Sequence, residues 1–174
     1  MNLLDVNPND IYHYGSQGIN DHGWGCVYRN IQTIRKLSGM SVPSIEDIQT
    51  ASGIDPALSG SDLWIEPKQA IPFLPGYNTL NLYRAVTDVS PYLLRTSMTD
   101  FNHVFQTPAE TESFLLKSLG NNKRVLLDDS IQSYILTGIV DDTFVFIDPH
   151  VAQNNVRSMT RTEFFRRPLW MMLA

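Results

Sequence analysis

The stretch "YILTGIVDDTFVFID", residues 134–148, holds two apolar runs of strand length separated only by Asp141-Asp142. A two-residue break of that chemistry closes a tight hairpin, so the two runs are antiparallel neighbours in one sheet. Two further strands are predicted in "TLNLYRAV" (79–86) and "RVLLD" (124–128), and after Pro168 "LWMML" returns to the sheet as a final strand. Helix signals begin earlier in the chain. Val27, Ile31, Ile34 and Leu37 recur at three- and four-residue spacing and stop before Gly39, which predicts one amphipathic helix over about 26–38. Ser44 opens a second helix, and 62–73 reads as partly helical with Pro67 and Pro72 near its ends or bending it. Thr107, Pro108 and Glu110 supply a hydroxyl cap, a proline at the first helical position and a carboxylate at the third, which predicts a helix over 108–119. Thr160 with Glu163 offers another capping box for a short helix. Helices packed on a mostly antiparallel sheet place the chain in the α+β class.

The 174 residues suit a single domain, 1–174, which would bury roughly 70% of the surface that its unfolded form exposes. With 43% hydrophobic and 18% charged residues the chain is far from the composition of disorder. Its net charge is −5, and apart from Arg166-Arg167 the basic residues are scattered, so no stripe exists to track a phosphate backbone and nucleic acid is excluded as an expected partner. Runs such as "FVFI" and "LWMML" fall far short of the roughly 18 residues that a membrane span needs. "MNLLDVNPND" lacks the basic start and apolar run of a signal peptide, and one cysteine cannot close an internal disulfide. A reducing, cytoplasmic or nuclear setting is expected. One cysteine without paired ligand spacing does not make a zinc site, and no glycine-rich phosphate loop is present, so neither metal nor cofactor is expected.

That cysteine, Cys26, lies in "NDHGWGCVYRNIQT" at the start of the first helix. Free cysteine is usually a small buried hydrophobe. At a helix start, however, a thiol faces unpaired N–H groups and the positive end of the dipole, which favour thiolate. The dipole contributes about 0.3 to 1 kcal/mol, less than the roughly 1.4 kcal/mol of one pKa unit, so a histidine partner is required for a reactive thiol. Of His13, His22, His103 and His150, the last is distinguished by "FVFIDPH". Strand alternation carried through Pro149 would place Phe144, Phe146, Asp148 and His150 on one face, with the carboxylate within reach of the imidazole. The plainer reading of that segment is a solvated Asp-Pro-His turn. Together Cys26, His150 and Asp148 follow the logic of nucleophile, base and orienter in a thiol hydrolase.

These residues resemble the cysteine proteases specific for ubiquitin-fold modifier, a papain-like clan. "DHGWGCVYRNIQT" is similar to the block around their nucleophile, "YHYG" to the segment before it, "GSDLWI" to their Gly-Ser-x-x-Trp-Ile stretch, and "IDPH" to their Asp-Pro-His. The resemblance implies a papain-like catalytic domain that cleaves after the C-terminal glycine of that modifier, in precursor maturation, in removal from conjugates, or in both. It implies Cys26 as nucleophile, His150 as base then acid, Asp148 as its orienting partner and Tyr14 as a donor to the oxyanion. The modifier, or a related ubiquitin-like protein, and its conjugates would be the partners, and the chain is expected to act as a monomer. Trp24, Gly25 and Trp64 are candidate substrate-binding residues, the tryptophans either lining a channel for a slim glycine-ended tail or serving as core and rim aromatics. His13 is expected to be structural, and Asp21 and His22 to form a polar loop.

One departure stands out. The family carries small, glycine-containing sequence before the Asp-Pro-His strand, whereas "DDSIQSYILTG" puts Asp128 and Asp129 there. Other readings are a deubiquitinase or an autophagy-modifier protease of the same clan, or an inactive modifier-binding protein. The deubiquitinase group places its base upstream of the aspartate, whereas His150 directly follows Asp148-Pro149.

Overall fold

The computed structural model describes residues 5–85 and 95–174. Five α-helices and seven strands follow one another as α1 (Cys26–Leu37), α2 (Ile45–Ala51), α3 (Pro67–Ala70), β1 (Leu80–Arg84), β2 (His103–Phe105), α4 (Pro108–Gly120), β3 (Val125–Asp128), β4 (Ser133–Val140), β5 (Thr143–Ile147), β6 (Val156–Thr160), α5 (Arg161–Arg166) and β7 (Leu169–Leu173). All strands form one sheet in the order β2-β1-β7-β3-β4-β5-β6. Every pairing is antiparallel except β1 with β2, so the sheet is mixed but mostly antiparallel, as the α+β reading expects.

The helix signals act where they stand. Ser44 accepts from the Asp47 amide while Asp47 reaches back to the cap; Thr160 and Glu163 do the same for α5; Thr107 caps α4 with Pro108 at its first position. Residues 62–73 divide into α3 between two 3₁₀ turns, Gly60–Leu63 and Ile71–Phe73, with Pro67 at the first helical position of α3. The β4–β5 hairpin turns at Asp141, which adopts a φ of 51°. Val86, the predicted end of the first strand, lies outside the described residues.

Two strands were not predicted. β2 is only three residues long, and the side chains of β6 are almost all exposed, so neither carries an apolar pattern. The last strand is central: β7 lies between β1 and β3 with all five residues buried, which explains why "LWMML" shows no polar alternation.

The sheet has a core on each face. Leu82, Leu126, Ile135, Ile147 and Met171 pack on the side that α1 covers, whereas Leu127, Leu136, Phe144, Trp170 and Met172 point to the other, with α4 and α5. α1 is amphipathic as expected, but its polar face is not solvated over the first turns. Every residue from Cys26 to Ile34 is buried, including Arg29, Asn30, Gln32 and Thr33. Most of those polar atoms have partners: Asn30 Nδ2 donates to Ser133 Oγ at 2.9 Å, Gln32 Nε2 to Pro43 O at 2.9 Å, and Thr33 Oγ1 accepts from the Tyr12 amide at 2.9 Å, whereas Asn30 Oδ1 is buried with none among the described residues. The first turn of α1 therefore lies under a covering loop, at the end of the sheet where β3 stops and β4 starts.

Candidate active site

The covering loop is built around Asp21. Its Oδ2 lies 2.6 Å from Arg29 Nε, both side chains being 0% exposed, and its Oδ1 accepts from the Gly15 amide at 2.8 Å. Arg29 uses its remaining donors on Ser16 O at 2.9 Å, Gln32 Oε1 at 3.0 Å and Gln17 Oε1 at 3.2 Å. One buried carboxylate thus joins the turn after Tyr14 to the first turn of α1. Gly25 is part of the same construction: a Cβ there would come within 2.2 Å of Asp21 Oδ2. Residues Asp21 and Arg29, read from sequence as a polar loop and part of a helix face, are a buried ion pair.

Tyr14 is held from two sides. Its amide donates to Pro149 O at 2.8 Å, laying "YHYG" alongside Asp-Pro-His, and His13 Nδ1 contacts Tyr14 O at 2.8 Å, in the structural role expected of His13. Its ring meets the His150 ring edge-on, centroids 5.1 Å apart, and its hydroxyl lies on the side of Cys26. Burial pushes the Tyr14 phenol well above its usual range.

Cys26 is 0% exposed. Burial and then the Asp128 carboxyl push its thiol up to about 12, outweighing the Tyr14 hydroxyl and the backbone contacts with Ser133 and Val27, which favour thiolate. The resting thiol is neutral.

The Asp148–His150 pair forms, though not along an extended strand. β5 stops at Ile147, and Phe144 and Phe146 belong to the core on the face away from α1. The expected alternation through Pro149 is replaced by a turn, since Pro149 has no N–H for a ladder and Asp148 Oδ1 accepts from the His150 amide at 3.0 Å. The same oxygen meets His150 Nδ1 at 2.6 Å, and Oδ2 takes Arg157 Nη1 at 3.0 Å. Burial opposes the Asp148 charge, yet the His150 contacts and Arg157 outweigh it and hold the carboxyl below its ordinary range. His150 Nε2 is buried with no hydrogen-bond partner among the described residues.

Tyr14, Cys26, Asp148 and His150 are therefore neighbours, and Gly25 adjoins them. The tryptophans are placed differently. Trp24 is 8% exposed and packs edge-on to Tyr28 in the α1-side core, leaving little surface for a ligand. Trp64 is half-buried beside a separate cavity of about 490 Å³ that also touches Glu66, Arg95 and Asp100. A larger cavity, about 690 Å³, opens beside the imidazole between Tyr134, Phe146, His150, Arg157 and Arg167. Among the described residues no cluster of three or more His, Cys, Asp or Glu is arranged to hold a metal, and no helix is long and apolar enough to cross a membrane.

The model of peptidase family C78 matches residues 4–65, the segment that carries the Tyr14 turn, Asp21 and the Cys26 helix. A probable Ufm1-specific protease of Oryza sativa subsp. japonica is 41% identical over 66 residues, and Ufm1-specific protease 1 of Mus musculus 39% identical over 61. Over that segment the chain is similar to peptidase family C78. The matched stretches cover 32% and 31% of this chain but only 10% of the rice relative and 28% of the mouse one. The crystal structure of UfSP from C. elegans shares the fold, with a TM-score of 0.63 and 19% identity over 94% of this chain and 32% of that one. The likeness of architecture thus extends well beyond the stretch in which the C78 sequence pattern is matched.

Proposed function

We propose that this chain is a thiol protease of the C78 type that cleaves after the C-terminal glycine of ubiquitin-fold modifier, in maturing its precursor, in releasing it from conjugates, or in both. The observation that carries the reading is the His150 imidazole, held by Asp148 Oδ1 at 2.6 Å from Nδ1 and met edge-on by the Tyr14 ring, centroids 5.1 Å apart, beside the Cys26 helix start. Each group then has a task. Asp148 fixes the tautomer that leaves Nε2 free to accept. A side-chain shift on substrate binding brings that nitrogen to the thiol and it takes the proton; catalytic hydrogen bonds often tighten only in the complex. The sulfur attacks the glycine carbonyl carbon, and the Tyr14 hydroxyl donates to the new oxyanion. The C–N bond breaks as His150 returns the proton to the leaving amine. Water, deprotonated by the same imidazole, then hydrolyses the thioester.

A second reading has an observation in its favour. A buried thiol held neutral, with no bond to His150, suits a protein that holds the modifier without cleaving it. One experiment separates these readings: the chain is incubated with ubiquitin-fold modifier, ubiquitin and an autophagy modifier, each bearing a C-terminal electrophile. The proposal expects a covalent adduct at Cys26 with ubiquitin-fold modifier, formed fastest of the three. Reversible binding without adduct supports the inactive binder, and a faster adduct with ubiquitin or the autophagy modifier supports the other proteases.

A further inference from the structure

The Asp128-Asp129 pair breaks the sequence resemblance, and the two carboxylates have different surroundings. Asp129 is satisfied: Oδ1 accepts from the Ile131 and Gln132 amides at 2.9 and 2.7 Å, and Oδ2 meets Arg167 Nη1 at 2.8 Å. Asp128 is 0% exposed; its Oδ1 accepts from the Ser130 amide at 2.7 Å, and its Oδ2 is buried with no partner among the described residues. It is the last residue of β3, directly opposite Ser133, the first residue of β4, whose Oγ accepts from Asn30 Nδ2 of the Cys26 helix at 2.9 Å. The unpartnered oxygen therefore belongs to the cluster around the nucleophile.

We propose that Asp128 is a positioning residue that governs when Cys26 ionises: as a neutral acid it permits the thiolate, and as a carboxylate it suppresses it. The groups facing it leave no other compensation. α1 contributes Cys26, Glu66 faces it from the residue before α3, and Asp129 adjoins it in the chain. Its register partners Ser133 on β4 and Met171 on β7 are uncharged, and Arg167 is engaged by Asp129. Among the described residues these titratable neighbours of Asp128 are all acidic. Burial and those neighbours favour the protonated carboxyl, overriding the Ser130 amide. A thiolate and a carboxylate in one dry cluster repel each other, so the two groups compete to remain the uncharged one.

The significance of this coupling rests on Cys26 as the nucleophile of the proposed protease, but its test reads the thiol alone, so either reading can fail without the other. Because Cys26 is the only cysteine, alkylation by iodoacetamide reports one site. Its rate is measured against pH for the wild type, Asp128→Asn and Asp128→Ser; the serine variant keeps an oxygen for the Ser130 amide and stands in should the asparagine variant not fold. The profiles are expected to coincide at acid pH and to separate as the pH rises, the uncharged variants reacting roughly tenfold faster once the wild-type carboxyl has ionised, a change of one unit in the thiol's pKa. Profiles that superimpose throughout, a thiol equally silent in all three proteins, or variants that react more slowly would overturn the proposal. A purely structural role for Asp128 would not produce a pH-dependent separation.

Discussion

Tyr14, set beside His150 and favouring the Cys26 thiolate, has two successive uses for one hydroxyl: support of the thiolate before attack and of the oxyanion after it. Tyr14→Phe should therefore slow Cys26 alkylation and, if the phenol acts as other oxyanion donors do, lower kcat on a modifier precursor by about 10²–10³-fold. Single-turnover kinetics alongside alkylation check both effects, and normal values of both would remove Tyr14 from the mechanism. Asp148→Asn, which disturbs the imidazole tautomer, should cost up to roughly 10⁴-fold in kcat. Asp128 affects stability in the opposite sense to Asp148. Its pKa is raised on folding, so the folded state binds the extra proton; that stabilisation is complete below the unfolded carboxylate range and is lost as pH rises towards the folded value. The wild type should thus melt lower at pH 8 than at pH 5 relative to Asp128→Asn, each tenfold in proton affinity being worth about 1.4 kcal/mol, or about 4 °C in Tm. Asp148, whose pKa is lowered, contributes stability above the ordinary carboxylate range and loses it only as pH falls through its folded value. Thermal melts across that range test the signs.

The segment from Gly15 to Arg29 behaves as one element although it contains little regular structure before α1. Asp21 binds the Gly15 amide and Arg29 and closes against Gly25, so the turn carrying Tyr14 and the helix carrying Cys26 share one anchor. Arg29→Met should cost about 3–5 kcal/mol by leaving a buried carboxylate unpaired. Gly25→Ala should destabilise through its clash with the same carboxylate, and urea unfolding of the double variant should show less than the sum of the two losses, because both disrupt one contact set. The sequence revealed some of this element and concealed the rest for a physical reason. Ser44, Thr107 and Thr160 announced their helices because a cap is chemistry within three residues. The Asp21–Arg29 pair is also close in sequence, yet its meaning depends on burial by Ser16, Gln17 and Gln32, which no periodicity records. An arginine three residues after Cys26, between the apolar Val27 and Ile31, was the available signal. The Asp-Pro-His contact was legible as a pair, whereas its turn was not, because alternation says nothing about where a strand stops.

Across the whole molecule the candidate site sits where one end of the sheet meets the first turn of α1, and only one of the two cores bears on that junction. Ile31 of α1 is buried on the Cys26 side, and Leu115 of α4 on the other. Ile31→Val should cost about 0.5–1.5 kcal/mol and Leu115→Ala about 2–5 kcal/mol. With a sheet between them the two losses should add to within about 0.5 kcal/mol in urea unfolding. Their effects on chemistry should not follow that order. A methyl removed beneath α1 loosens the packing that holds Cys26 beside Tyr14 and Ser133, so the milder variant should change Cys26 alkylation more than the severe one. Leu115→Ala should leave the rate close to wild type wherever the protein remains folded, because the contacts that position the sulfur lie on the other face. If Leu115→Ala altered alkylation as much as Ile31→Val under those conditions, the site would be drawing on both cores, and the separation of stability from chemistry by the sheet would be wrong.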